Sequence, residues 1–155
     1  MSQEIILSVE KLTVSFPKNG KSQSVVHGVS FDLQKNEILA VVGESGSGKS
    51  VSSLAIMGLL PRNTAQINGS ILFNNKDLNQ LSDAALRNIR GNHISMIFQE
   101  PMSSLNPALR CGYQVMEVLK QHTTLSSSDA KNEVLALFER VKLPRPEVLF
   151  DSYPH

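Results

Sequence analysis

Apolar and polar positions alternate at the start of the chain. Leu7 and Val9, then Leu12, Val14 and Phe16, are interleaved with Ser8, Thr13 and Ser15, which is the period of a strand with one buried face. Val29, Phe31 and Leu33 alternate with Ser30, Asp32 and Gln34 in the same way. Between them, PKNGKSQ (Pro17–Gln23) predicts a loop with Asn19-Gly20 as a hairpin tip. These strands predict an antiparallel layer with one wet face.

The pattern then changes. Ile38–Val42 is an unbroken apolar run and predicts a strand buried on both faces. A glycine-rich loop follows, then a helix from about Lys49 to Leu60 that stops before Pro61. Gly69 to Phe73 predicts another strand. Ser82 is placed to cap a short helix carrying Leu86 and Ile89, with Gly91 at its end. Ile94 to Phe98 predicts a second buried strand. Beyond Pro101 the spacing is helical: Val115, Val118, Leu119 and His122 share one face, and Val134, Leu137, Phe138 and Val141 another. Ser126 is the predicted N-cap of the latter helix, with Asp129 in its first turn, and Pro144 and Pro146 break it. VLFD (Val148–Asp151) predicts a helical segment. The order is therefore α/β: an antiparallel β subdomain (about 1–35), an α/β core (about 36–100) and a helical portion (about 101–155).

Composition narrows the classes. Of 155 residues, 41% are hydrophobic, enough for a core and too many for a disordered segment. The formal net charge of +1, with basic residues scattered, carries no nucleic-acid footprint. The single cysteine, Cys111, excludes an internal disulfide and reads as a structural thiol in a reducing compartment. The apolar runs are too short to cross a bilayer, so a cytosolic chain is expected, with any membrane association through a partner. The four histidines, His27, His93, His122 and His155, show no metal-ligand spacing.

GESGSGKS (Gly43–Ser50) fits G-x-x-x-x-G-K-[ST]. Gly43, Gly46 and Gly48 let the backbone curl so that N–H groups face phosphate oxygens, and the helix beginning near Lys49 adds its positive end. Lys49 would reach the β- and γ-phosphates, and the Ser50 hydroxyl would sit on Mg²⁺. The four fixed positions recur by chance in roughly one chain of this size in two hundred. A dinucleotide fingerprint from Gly46 fails, because Val51 stands where glycine is needed. Fifty residues on, MIFQEP (Met96–Pro101) places Gln99 at the exit of the second predicted buried strand, where ligands of open α/β sheets gather.

With VVGESGSGKS, MIFQEP and a β layer ahead of the loop, the chain resembles the nucleotide-binding subunit of ATP-binding cassette (ABC) transporters along essentially its whole length. FQEPMSSLNP narrows the resemblance to the peptide-importer branch, which handles oligopeptides, dipeptides and in some relatives nickel or glutathione. The resemblance implies a P-loop NTPase fold, with ATP and Mg²⁺ as cofactors. It makes Gly43, Glu44, Ser45, Gly46, Ser47, Gly48, Lys49, Ser50 and Val51 the phosphate-binding Walker A segment. Gln99 becomes the Q-loop residue, a metal ligand with Ser50 and the catalytic γ-phosphate sensor. Phe16 reads as core from its alternation alone; the resemblance makes it the adenine platform, with Val25 as a second contact. The same resemblance implies a second ABC domain as partner. It also implies transmembrane permease subunits that dock on the surface after the Q-loop (about Glu100 to Tyr113), holding the protein peripherally on the inner face of the membrane.

The family's signature, Walker B and switch histidine have no counterpart here. VLFD is the nearest approach to Walker B, but Ser152 stands where glutamate is wanted. In the peptide-importer branch a YPH tripeptide commonly precedes the signature, and Tyr153-Pro154-His155 has that look. The expectation is therefore the front of a longer cassette with an incomplete helical subdomain, unable to hydrolyse ATP alone and poorly stable. Two alternatives stand beside it: a non-catalytic nucleotide-binding chain, and an ABC ATPase not coupled to transport.

Overall fold

The computed structural model describes residues 4–99 and 104–155. They fall into two units, residues 1–90 and 91–155, each with its own packing.

In the first unit, β1 (Ile5–Lys18) and β2 (Lys21–Gln34) form a long antiparallel hairpin, joined by β3 (Gln66–Phe73) and the two-residue β4 (Lys76–Asp77) in the order β2-β1-β3-β4. The strands run further into PKNGKSQ than the sequence predicts. Pro17 pairs with Ser22 and Lys18 with Lys21, leaving only Asn19 (φ 51°) and Gly20 (φ 74°) as the turn. Two positive-φ residues in a two-residue turn match the strand twist, so the ladder closes up to the tip. The odd spacing from Val9 to Leu12 is resolved by a bulge at Glu10–Lys11, where Lys11 takes φ 48°. The extra residue returns Val9, Leu12 and Val14 to one face, and all three are buried. Helix α1 (Lys49–Ile56) packs Ser52 and Ala55 inward and ends in a turn at Gly58, φ 61°. Helix α2 (Asp83–Ile89) is capped by Ser82, whose side chain accepts from the Ala85 N–H, and buries Leu86.

Two predicted strands are not formed. Ile38–Val42 lacks regular structure, and of Ile94–Phe98 only Ile94 makes an isolated bridge, its carbonyl accepting from Gly91 N–H at 2.9 Å. Ile38 is 96% exposed, Val42 87% and Ile97 94%. A strand is held by a neighbour's hydrogen bonds, and an all-apolar one needs cover on both faces. Among the described residues neither run has a neighbouring strand, so apolarity alone does not make them strands. The fold remains that of an α/β P-loop chain, but the antiparallel sheet reaches beyond the predicted first 35 residues, because β3 and β4 pair onto β1 and β3.

The second unit packs α3 (Cys111–His122), α4 (Ser127–Arg140) and α5 (Pro146–Asp151) around Val134, Phe138 and Phe150. Gly112 is buried against Phe150, and a Cβ there would clash with Cγ and Cδ2 of that ring. The start of α3 is tied to the end of α5. Cys111 N–H donates to Ser152 O at 2.8 Å, and Arg110 Nη1 to Asp151 Oδ1 at 2.8 Å. The Tyr153 hydroxyl, then the Asp151 carboxylate, raise the Arg110 pKa further above its ordinary value.

Candidate functional site

The glycine loop runs from Gly43 to Gly48 and opens directly into α1. Its centre is the Lys49 ammonium. Nζ donates to Gly43 O and Glu44 O, both at 2.7 Å, and lies 3.4 Å from Ser47 Oγ. The loop is thus curled round a cation rather than splayed. Only one internal backbone bond braces it, Ser47 N–H to Glu44 O at 3.2 Å. The N–H groups of Gly46, Gly48 and Lys49 donate to no acceptor among the described residues. A cation, unspent backbone donors and the positive end of α1 converge, a donor set suited to phosphate oxygens. The set fits the nucleotide implied by the motif.

Gly48 is where the local chain path is decided. It is the α1 N-cap, with φ 93°. A Cβ on it would lie 2.7 Å from Val25 O and 3.1 Å from Val26 Cγ2. Val25 is the extra residue of a bulge nearer the hairpin tip: Val14 pairs with Val26 and Ser15 with Ser24, and Val25 has no rung. The bulge turns the Val25 carbonyl onto the loop. Bulges recur beside functional sites for this reason, since they re-aim one residue without ending the strand. No feature of the sequence flags this bulge. The only signal is indirect, in that the last glycine of the motif must be packed against something.

The predicted site residues are not all brought together. Val25 and Gly43 through Val51 converge at the loop, although Val25 does so through its carbonyl. Phe16 is half-buried, opposite Gln23 near the hairpin tip. Gln99 is exposed in a stretch without regular structure in the second unit. Of the predicted docking stretch, residues 100–103 lie outside the described ones.

The remainder of that stretch has an organiser the sequence does not reveal. Gln114 on α3 uses both ends of its amide: Oε1 accepts from Asn106 N–H at 2.8 Å, and Nε2 donates to Asn106 O at 3.1 Å and Leu109 O at 3.0 Å. The loop before α3 is pinned against the helix.

A family model described as "ABC transporter" matches residues 26–151. The chain is 52% identical over 153 residues to the dipeptide transport ATP-binding protein DppD of Bacillus subtilis, covering 98% of this chain and 46% of that protein. It is 46% identical to the oligopeptide transport ATP-binding protein OppD of the same organism, covering 97% of this chain and 42% of that one. The chain therefore spans about half the length of the curated relatives it matches. Among solved structures, the ATP-binding cassette MJ0796, described as a dimer in a post-hydrolysis state bound to ADP and Pi, superposes with a TM-score of 0.77. The identity is 20%, over 96% of this chain and 61% of that one, a likeness of fold.

Proposed function

This chain belongs to the ABC transporter family, and from that premise we propose that it is the ATP-binding component of an importer of dipeptides, oligopeptides or similar small solutes. One observation carries the nucleotide reading: the Lys49 ammonium held inside a glycine loop at the start of α1. The relatives named for dipeptide and oligopeptide transport carry the solute class.

ATP with Mg²⁺, when bound, supplies the phosphoryl group whose transfer to water drives transport. The chain's own residues bind and orient. Lys49 redirects the donors it now spends on Gly43, Glu44 and Ser47 to phosphate oxygens, and the loop N–H groups from Gly43 to Val51 complete the cradle. Ser50 offers a hydroxyl oxygen, and Gln99 an amide oxygen, to the hard Mg²⁺ ion. Phe16 presents a ring face to adenine, with Val25 beside it. A second ABC domain completes the ATP site, and permease subunits dock on the surface after the Q-loop, placing the protein on the inner face of a membrane.

The test is a titration of the complete gene product with a fluorescent ATP analogue and Mg²⁺. Lys49→Ala removes charge-assisted hydrogen bonds of about 3 kcal/mol in all, so affinity should fall about a hundredfold. Unchanged affinity would overturn the site. The transport reading is tested by co-purified membrane subunits and by ATPase activity that rises with added peptide; a flat response sinks it.

A further inference from the structure

Helix α1 is held at both ends. At its start, Gly48 is seated against the Val25 carbonyl and Val26. At its exit the chain turns away through Gly58, φ 61°. Gly58 N–H donates to Ala55 O and Leu59 N–H to Leu54 O, both at 2.9 Å, which satisfies two carbonyls of the last turn. The next two carbonyls of the exit are taken by one side chain from outside the helix. Arg90, at the end of α2, donates from Nε to Met57 O at 2.7 Å and from Nη2 to Gly58 O.

This guanidinium is half-buried and spends its fork on backbone. Among the described residues the cations in ion pairs are Lys35, Arg62 and Arg110. The fit is close: a Cβ on Gly58 would lie 2.8 Å from Arg90 Nη2 and 3.1 Å from Leu86 Cδ1. A cation fixed there faces the negative end of the α1 dipole, opposite the end that carries the phosphate loop. The helix needs such an anchor. It has eight residues, too few to hold itself together in water, and the ones it buries, Ser52 and Ala55, are small. Gly48 is its N-cap and Lys49 its first residue, so any tilt at the exit is carried to the phosphate donors.

We propose that Arg90 is a positioning residue of the nucleotide site: by clamping the exit of α1 it holds Lys49 and the loop N–H groups where a triphosphate meets them. The inference rests on the nucleotide reading above and adds a residue that lies outside the glycine motif and touches no phosphate. Its two carbonyl bonds are charge-assisted and set by a rigid fork, which fixes direction as well as distance.

The complete gene product and its variants are titrated with a fluorescent ATP analogue and Mg²⁺, after a thermal melt has shown each to be folded at the titration temperature. Arg90→Ala should bind about tenfold more weakly. Arg90→Lys keeps the charge but reaches one carbonyl instead of two, so its loss should be about threefold. Arg62→Ala is the control. That guanidinium also holds a backbone carbonyl, Leu81 O at 3.1 Å, and pairs with Asp83, but neither bond is to α1, so ATP affinity should not change. A role confined to stability would lower the melting point of Arg90→Ala and leave the affinity of the folded protein intact; that result overturns the proposal. So does lysine no better than alanine at 90, or an equal loss at Arg62→Ala. Should Arg90→Ala not fold, Arg90→Lys decides alone, and unchanged affinity in that variant overturns the proposal. No ATP binding by the unaltered protein would instead sink the nucleotide reading, and this inference with it.

Discussion

Gly46 and Gly48 are two letters of one motif, yet the structure assigns them different burdens. Gly46 takes φ 82° with nothing within 4 Å of a would-be Cβ, whereas Gly48 combines φ 93° with a Cβ position 2.7 Å from the Val25 carbonyl oxygen. Alanine at 46 meets only the left-handed backbone cost, about 1–2 kcal/mol. Alanine at 48 meets that cost and must also push the β2 bulge away, about 2–4 kcal/mol in total. Urea denaturation of the two variants should therefore show the larger loss at Gly48→Ala, with nucleotide affinity falling alongside. Equal losses would mean that the bulge yields freely. The motif's glycines were legible from residue type and spacing. The partner that makes Gly48 irreplaceable was not, because Val25 reaches it across the fold through a backbone atom that carries no side-chain signature.

Helices were the most legible elements, since their signals are local. Ser82 and Ser126 both cap the helices predicted for them. Ser126 Oγ accepts from Asp129 N–H at 3.1 Å and donates to Asp129 Oδ2 at 2.6 Å, so one hydroxyl serves backbone and side chain together. Ser126→Ala should cost about 1 kcal/mol, and Ser126→Thr much less. A thermal melt followed by helical circular dichroism checks this; an unchanged midpoint for alanine would show that α4 is held by packing on Val134 and Phe138 alone. Strands were less legible. The hairpin was found, but its arms run through most of the predicted loop, because an Asn-Gly tip needs only two residues to turn. A bulge is not a property of one strand, since it exists only in register with a partner.

At the scale of the molecule, the two apolar runs Ile38–Val42 and Ile94–Phe98 set the sharpest contrast. Their composition is that of strands, yet among the described residues neither joins a sheet, and only Ile94 makes an isolated bridge. Hydrogen exchange on this 155-residue chain should find the amides of 38–42 exchanging orders of magnitude faster than those of Val9 to Val14, whose ladder lies between β2 and β3. Comparable protection would show that the run is paired in solution. By itself the sequence determined whatever is encoded within a few residues: the α/β order, the glycine loop that leads into α1, the hairpin tip and the helix caps. These rest on propensity, capping and motif chemistry, which act locally. Tertiary structure alone decided which apolar runs become strands, where β2 bulges to meet Gly48, that Gln114 brackets the loop before α3, and that Gly112 makes room for Phe150. Each of these is a contact between segments distant in sequence or backbone, and single-residue patterns carry no record of who the neighbour will be.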